Sequence, residues 1–237
     1  MGIGPGDPLN RTRRAEQVIG QSDVVVGYKR YLDLIKDLTA GKELISSGMT
    51  HEKERCSAAI QRAEQGDLVA LISSGDAGIY GMAGLALEMA FKTGKAIPIE
   101  IVPGVTSATA SAAKLGAPLM LDFACISLSD LLVPWDVISK RLEAVAEADL
   151  VTALYNPRSK RRTAQLENAA AIFRKYRDGV TPVGICTAVG TDEEQITLTD
   201  LEHFLDYEIN MRTIVIIGNQ SSKIIDGIFI TARGYQV

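Results

Sequence analysis

Six short runs of β-branched and apolar residues, at 23–26, 68–72, 99–102, 150–154, 183–186 and 213–217, alternate along the chain with stretches of helical periodicity. A chain that keeps returning from helix to strand hides its apolar faces in an α/β arrangement, with helices laid on largely parallel or mixed sheets. The helical stretches are predicted at 55–65, where Cys56, Ala59, Ile60 and Ala63 share a face, at 81–93, at 107–115 and at 159–176. The last of these aligns Leu166, Ala169, Ala170 and Phe173, and Gly179 follows it as a helix stop. Between 117 and 135 the pattern changes to a mixed segment with Pro118, Asp122, Ser127, Ser129, Asp130 and Pro134. A domain boundary is expected there. The fold class is therefore α/β with two domains, 1–117 and 118–237, the second ending in a strand pair at 213–218 and 227–232. Each half is long enough to bury a core of its own.

Composition excludes several classes of function. With 46% hydrophobic residues, 23% charged residues and a formal net charge of −4, the chain reads as an ordinary soluble globular protein. That mildly acidic balance argues against non-specific nucleic-acid binding, which needs many cations against phosphate. Cys56, Cys125 and Cys186 are odd in number and far apart, so reduced thiols in the cytoplasm are expected. His51 and His203 are the only histidines and have no nearby ligand pattern, so no protein-bound metal is expected. No apolar run reaches the roughly 18 residues of a membrane span, and the start lacks a basic region followed by an apolar one. Neither a membrane segment nor a secretion signal is expected.

Chemistry is concentrated in three glycine-bearing loops. Gly2-Ile3-Gly4-Pro5-Gly6-Asp7-Pro8 comes close to a dinucleotide fingerprint, but Asp7 stands where a glycine is needed, its carboxylate would repel pyrophosphate, and Pro8 follows. The glycines suit a tight turn approached closely by a ligand or another chain segment, or a plain strand-to-helix turn. Ser73-Ser74-Gly75-Asp76-Ala77-Gly78-Ile79-Tyr80-Gly81 follows the run at 68–72 and precedes a helix. Open α/β sheets bind ligands at the carboxyl ends of strands, so Asp76 is either an acceptor for a ribose or amino group or the N-cap of the next helix. Val102-Pro103-Gly104-Val105-Thr106-Ser107 repeats the arrangement, with Thr106 or Ser107 as a competent N-cap. Three such loops in one domain are expected to converge.

In order and spacing these three motifs resemble the tetrapyrrole methylases of the corrin and siroheme pathways. Further segments at 26–31, 126–135, 154–157 and 211–219 are similar to members that methylate a ring carbon and contract the macrocycle on the route to cobalamin. The resemblance covers essentially the whole chain. It implies two α/β domains with S-adenosyl-L-methionine, which leaves as S-adenosyl-L-homocysteine, in a cleft between them, and a homodimer. It places Pro5 beside the methyl donor and Ser74, Gly75, Asp76, Ile79 and Tyr80 along its methionine and ribose side, with Thr106 and Ser107 completing the first domain's share. From the second domain it implies Tyr155, Asn156, Ala188 and the strand Ile214, Val215, Ile216 around the adenine. Family members usually carry an apolar strand before the first glycine motif; here Gly2 directly follows Met1, so either the start is truncated or another element covers the sheet.

The substrate class bears many carboxylates, which pair with cations; Lys29, Arg30 and Arg158 are offered as substrate-binding on that basis. The cluster Arg158, Lys160, Arg161 and Arg162 is otherwise a solvated face. Ring contraction moves protons, so an acid–base group is expected among Tyr28, Ser127, Ser129 and Asp130. Around His51 a helix start with charge pairing is expected, Trp135 and Asp136 are expected to anchor the inter-domain segment, and Cys125 and Cys186 to fill core positions. Competing functions are another precorrin methyltransferase of the same fold, a nucleotide-binding oxidoreductase, and a non-catalytic S-adenosylmethionine sensor.

Overall fold

Thr12 starts the first long helix, its hydroxyl accepting the backbone N–H of Ala15 at 3.1 Å, which satisfies one of the donors that a helix start leaves open. The helix, α1 (Arg13–Gln21), buries Ala15 and Ile19. It is followed by β1 (Val24–Tyr28), α2 (Lys29–Asp33), β2 (Glu43–Ser47), α3 (Glu52–Glu64), β3 (Val69–Leu71) and α4 (Ala83–Lys92). This computed structural model describes residues 1–48 and 50–236 and divides into two compact units, Met1–Ser107 and Ala108–Val237.

In the first unit β1 is central, paired in parallel with β2 on one side and β3 on the other. Val24, Val25 and Val26 are all buried, because both faces of the sheet are covered; a central parallel strand therefore shows a continuous apolar run with no alternation. Val25 packs with Ile19, Ile35 and Ile72 on one face, and Val24 and Val26 pack with Ala59 on the other. Helix α3 begins near His51 as expected, but the contacts there span three residues where i,i+4 pairing was expected: Arg55 pairs with Glu52 at 3.3 Å, and His51 Nδ1 lies 3.5 Å from the Glu54 carboxylate.

One expected strand is not formed. Residues 99–102 make no ladder, Ile99 and Ile101 are exposed, and only Val102 is buried. The segment borders a cavity of about 750 Å³ that β3 also lines. An apolar run becomes a strand only where a neighbour supplies hydrogen bonds, and here a hollow takes the neighbour's place. The first residues are extended beside the end of β3: the Met1 ammonium donates to Leu71 O at 2.8 Å and Ile3 N to Ser73 O at 3.0 Å.

Helix α5 (Ser107–Leu115) leads into the second unit, which continues through β4 (Gly116–Ala117), β5 (Phe123–Ser127), α6 (Trp135–Glu147), β6 (Val151–Tyr155), α7 (Ala164–Phe173), β7 (Pro182–Thr187), β8 (Gln195–Asp200), β9 (Thr213–Ile217), β10 (Ser222–Ile225) and β11 (Ile228–Thr231). The division thus falls at 107/108, where the sequence suggested 117/118. The physical reason is the buried face of α5: Ala108, Ala112 and Leu115 join Val151, Ala153 and Ile216 in one cluster. Gly184 permits that packing, since a Cβ there would collide with the Leu115 side chain.

The larger sheet has the order β5-β6-β9-β7-β8. Only β5 and β6, joined by α6, are hydrogen-bonded to each other in parallel; β9 is inserted antiparallel to both β6 and β7, and β7 turns directly back into β8. This sheet is therefore mixed, because short returns replace helical crossovers in its second half. The expected strand pair 213–218 and 227–232 does not pair: β9 lies inside this sheet, and β11 pairs with β10 and β4. Helices α6 and α7 cover one face, with Ile138, Leu142, Leu166 and Phe173 packed against Val215, and Trp135 packs on that same cluster. Cys186 is buried and its thiol is pushed up to about 12 by desolvation, as befits a small core residue. Among the described residues no helix is long and apolar enough to cross a membrane.

At the 3₁₀ turn after β8, Asp200 Oδ1 lies 2.8 Å from His203 Nδ1. This hydrogen bond raises the imidazole above its ordinary value of 6.5. The stabilisation it lends is complete below the unfolded value and is lost as pH rises through the raised folded value. A proton NMR titration should give His203 a midpoint above 6.5, and Asp200→Asn should bring it back; an unchanged midpoint in the variant would overturn the assignment.

Candidate active site

Within the first unit the three glycine loops are brought together by their own backbones. Gly4 N donates to Gly75 O at 3.1 Å, Gly75 N to Gly4 O at 2.8 Å, and Gly2 N to Val102 O at 2.9 Å. Gly75 takes a positive φ of 64°, a conformation that costs glycine nothing. Asp76 is not the N-cap of α4, a position held by Met82. Its carboxylate joins two loops instead: Oδ1 accepts Gly78 N at 2.7 Å and Oδ2 accepts Gly104 N at 2.8 Å.

That fold of the loop pushes its far end outward. Ile79 is exposed, and Tyr80 is exposed at 53% with φ 53°. A non-glycine residue in this region is strained and persists only where its surroundings over-determine it, most often at functional sites. Ser74, Asp76, Thr106 and Ser107 are half-buried nearby, and Thr106 stands just before the first residue of α5. Pro5 is buried between the glycines of the first motif. Asp7 accepts Leu9 N at 2.8 Å and caps a three-residue 3₁₀ turn, so no helix presents its N-terminus to a pyrophosphate there. Lys29 and Arg30 are exposed at the start of α2. Tyr28 ends β1 and packs edge-on against Tyr31, ring centres 5.2 Å apart.

In the second unit β5, β6 and β7 run in one direction, so their carboxyl ends lie side by side with the start of β9. Ser127, Tyr155, Asn156, Ala188 and Met211 belong to these ends. Asn156 has φ 50° and Ala188 φ 52°, repeating the strain seen at Tyr80. Ala188 is held by its N–H to Arg212 O at 2.9 Å. Asn156 Nδ2 donates to Ser127 Oγ at 3.0 Å, and the same oxygen accepts Ser129 N at 3.3 Å. Asp130 accepts Gln165 Nε2 at 2.7 Å.

Some expected residues are placed differently. Tyr155 is 8% exposed and its hydroxyl accepts Ala108 N at 3.0 Å, closing the first turn of α5. Val215 and Ile216 are wholly buried in two separate clusters on opposite faces of the sheet, and Ile214 is nearly so. Period-two alternation in a central strand dictates that. Arg158 is paired with Glu167 at 2.6 Å, whereas Lys160 and Arg161 are exposed as a solvated face should be.

Sequence reasoning missed the inward turn of Arg162. Its guanidinium donates to Asn156 O at 2.6 Å and Ser129 Oγ at 3.2 Å. Ser159 was the available signal: its Oγ accepts Arg162 N at 3.0 Å and curls the chain back, as serine does three residues before such a turn. Desolvation lowers the Arg162 guanidinium from its ordinary value, opposed by the Asp130 charge.

The family model described as tetrapyrrole (corrin/porphyrin) methylases matches residues 1–205. The chain is 46% identical, over its whole length, to the cobalt-factor III methyltransferase of Priestia megaterium, of which it spans 44%. It is 47% identical over 99% of its length to a probable cobalt-factor III C(17)-methyltransferase of Salmonella typhimurium, of which it spans 98%. The crystal structure of the methyltransferase CobJ superposes with a TM-score of 0.89 at 33% identity, covering 98% of this chain and 97% of that one. By family model, full-length relatives and fold alike, the chain belongs to the tetrapyrrole methylases.

Proposed function

We propose that this protein is an S-adenosylmethionine-dependent methyltransferase that methylates C17 of cobalt-factor III in cobalamin biosynthesis, with contraction of the macrocycle. The reading rests on 47% identity across 99% of the chain to a relative named for that reaction. The residues of each unit fit a bent, polar methyl donor. In the first unit Gly81 admits no Cβ, which would meet Ala77 O at 2.5 Å; the loop backbone is thus packed tightly behind the exposed Ile79 and Tyr80. Pro5, Ser74, Gly75, Asp76, Ile79, Tyr80, Thr106 and Ser107 are its proposed binding residues. In the second unit they are Tyr155, Asn156, Ala188 and Ile214, with Ile216 buried on the same face of the strand as Ile214 and Val215 on the opposite face.

When bound, S-adenosylmethionine supplies an electrophilic methyl group on sulfur. The chain's own task is to hold the reacting carbon in line, so positioning dominates the rate. Ser127 Oγ accepts from Asn156 and Ser129, leaving its hydroxyl hydrogen for donation, and it is the proposed proton-handling group together with Ser129 and Asp130. Tyr28 is the candidate of the first unit. Lys29, Arg30 and Arg158 are proposed to meet substrate carboxylates, Arg158 by exchanging Glu167 for the ligand. A homodimer, expected from the resemblance, is proposed as the working state and is measured by sedimentation equilibrium.

The deciding experiment incubates the protein with methyl-labelled S-adenosylmethionine and tetrapyrrole intermediates, with and without cobalt. One methyl group is expected on cobalt-factor III, located at C17 by NMR. Transfer to a different carbon would make the protein another methylase of this fold. Cofactor binding without turnover on any tetrapyrrole would make it a sensor.

A further inference from the structure

Three residues at the ends of β5 and β6 and one from the segment before α7 form a closed circuit through side-chain and backbone atoms. Arg162 Nη2 donates to Asn156 O at 2.6 Å, Asn156 Nδ2 to Ser127 Oγ at 3.0 Å, Ser129 N to Ser127 Oγ at 3.3 Å, and Arg162 Nη1 to Ser129 Oγ at 3.2 Å. A further contact joins Arg162 Nη2 to Met211 Sδ at 3.4 Å, just before β9. All of these hydrogen-bond partners are neutral, and the Asp130 charge also acts on the guanidinium. Its Nε is buried without a hydrogen-bond partner.

A half-buried cation joined to two strand ends only through neutral acceptors is an expensive link, and an apolar contact would join them at less cost. What the guanidinium adds is geometry. Its planar fork reaches two ends at fixed angles, which a lysine ammonium does not reproduce. It also grips the carbonyl of Asn156, whose φ of 50° lies in the left-handed region that asparagine tolerates.

We propose that Arg162 is a positioning residue for the methylation, clamping Asn156 to the Ser127–Ser129 segment. The proposal rests on the assignment of those residues to the reaction. Arg162→Lys and Arg162→Gln test it through three readouts: amide hydrogen exchange over 127–131 and 155–159, the separate values of kcat and KM, and the melting temperature. Both variants should exchange at least about tenfold faster in those segments and lose roughly 10- to 100-fold in kcat, with KM for the tetrapyrrole within about twofold.

Unchanged exchange would overturn the clamp, as would a kcat loss that disappears once the folded fraction is corrected for. A raised KM with kcat intact would also overturn it, and would make Arg162 a ligand for substrate carboxylates. If the wild-type protein methylates none of the tetrapyrroles offered, the functional assignment fails while the exchange measurement still decides the clamp.

Discussion

Arg177→Met should lower the unfolding free energy of the second unit by about 3–5 kcal/mol, a drop of roughly 10 °C in melting temperature for a chain of this size. The Arg177 side chain is wholly buried, stacked over the Phe173 ring at 4.7 Å. It donates to Gly218 O at 2.5 Å and Leu150 O at 2.6 Å, and its Nε lies 3.6 Å from Asp149. Burial pulls its guanidinium down to about 10, so the charge is retained near neutral pH. Methionine fills much of the volume but leaves both carbonyls without a donor, each costing about 1–3 kcal/mol. Asp149 loses its partner as well. Its backbone sits at φ 54°, with Asn219 Nδ2 bonded to its carbonyl at 3.1 Å, so the corner before β6 should loosen too. Urea titration measures the effect; a loss below about 1 kcal/mol would mean that water replaces the guanidinium at little cost.

The second large effect is expected at Asp76. Its carboxylate holds Gly78 N and Gly104 N, tying two of the three glycine loops together. Hydrogen bonds to a charged acceptor contribute about 1.5–3 kcal/mol each, so Asp76→Ala should weaken S-adenosylmethionine binding by at least about tenfold, which corresponds to roughly 1.4 kcal/mol. Asp76→Asn retains one carbonyl acceptor but turns an amide N–H₂ toward the other N–H. It should therefore behave more like alanine than like aspartate. Calorimetry reads the affinity directly, and an unaltered dissociation constant in either variant would remove Asp76 from the binding site.

Much of the fold was legible because its strongest signals are local. The runs at 23–26, 68–72, 150–154, 183–186 and 213–217 correspond to β1, β3, β6, β7 and β9, buried almost throughout except for the half-buried β3, and 107–115 matches α5. Edge strands were harder. β2 and β8 are exposed or half-exposed at every position, so they carry neither a buried run nor a clean alternation. β5 was hidden within the segment taken as a boundary, since its outer residues Phe123 and Cys125 are not fully covered. The short helix α2 and the amphipathic α1 and α6 also escaped notice.

At the site, the glycine loops were visible as motifs, whereas the strain at Tyr80, Asn156 and Ala188 was not. Residue type does not encode a left-handed backbone at tyrosine or alanine, where neighbours impose it, and asparagine tolerates that conformation without requiring it. For the same reason a run of four basic residues at 158 and 160–162 gave no hint that only one would turn inward.

The order of elements, the central strands and the placement of glycine-bearing turns at strand ends are written locally, because hydrophobic periodicity and φ freedom act over a few residues. Tertiary structure decided which strands pair, which unit owns α5, and whether a polar side chain caps a helix or bridges two loops. Those outcomes depend on hydrogen-bond partners far along the chain: Asp76 meets Gly104 across 28 residues and Arg177 meets Gly218 across 41.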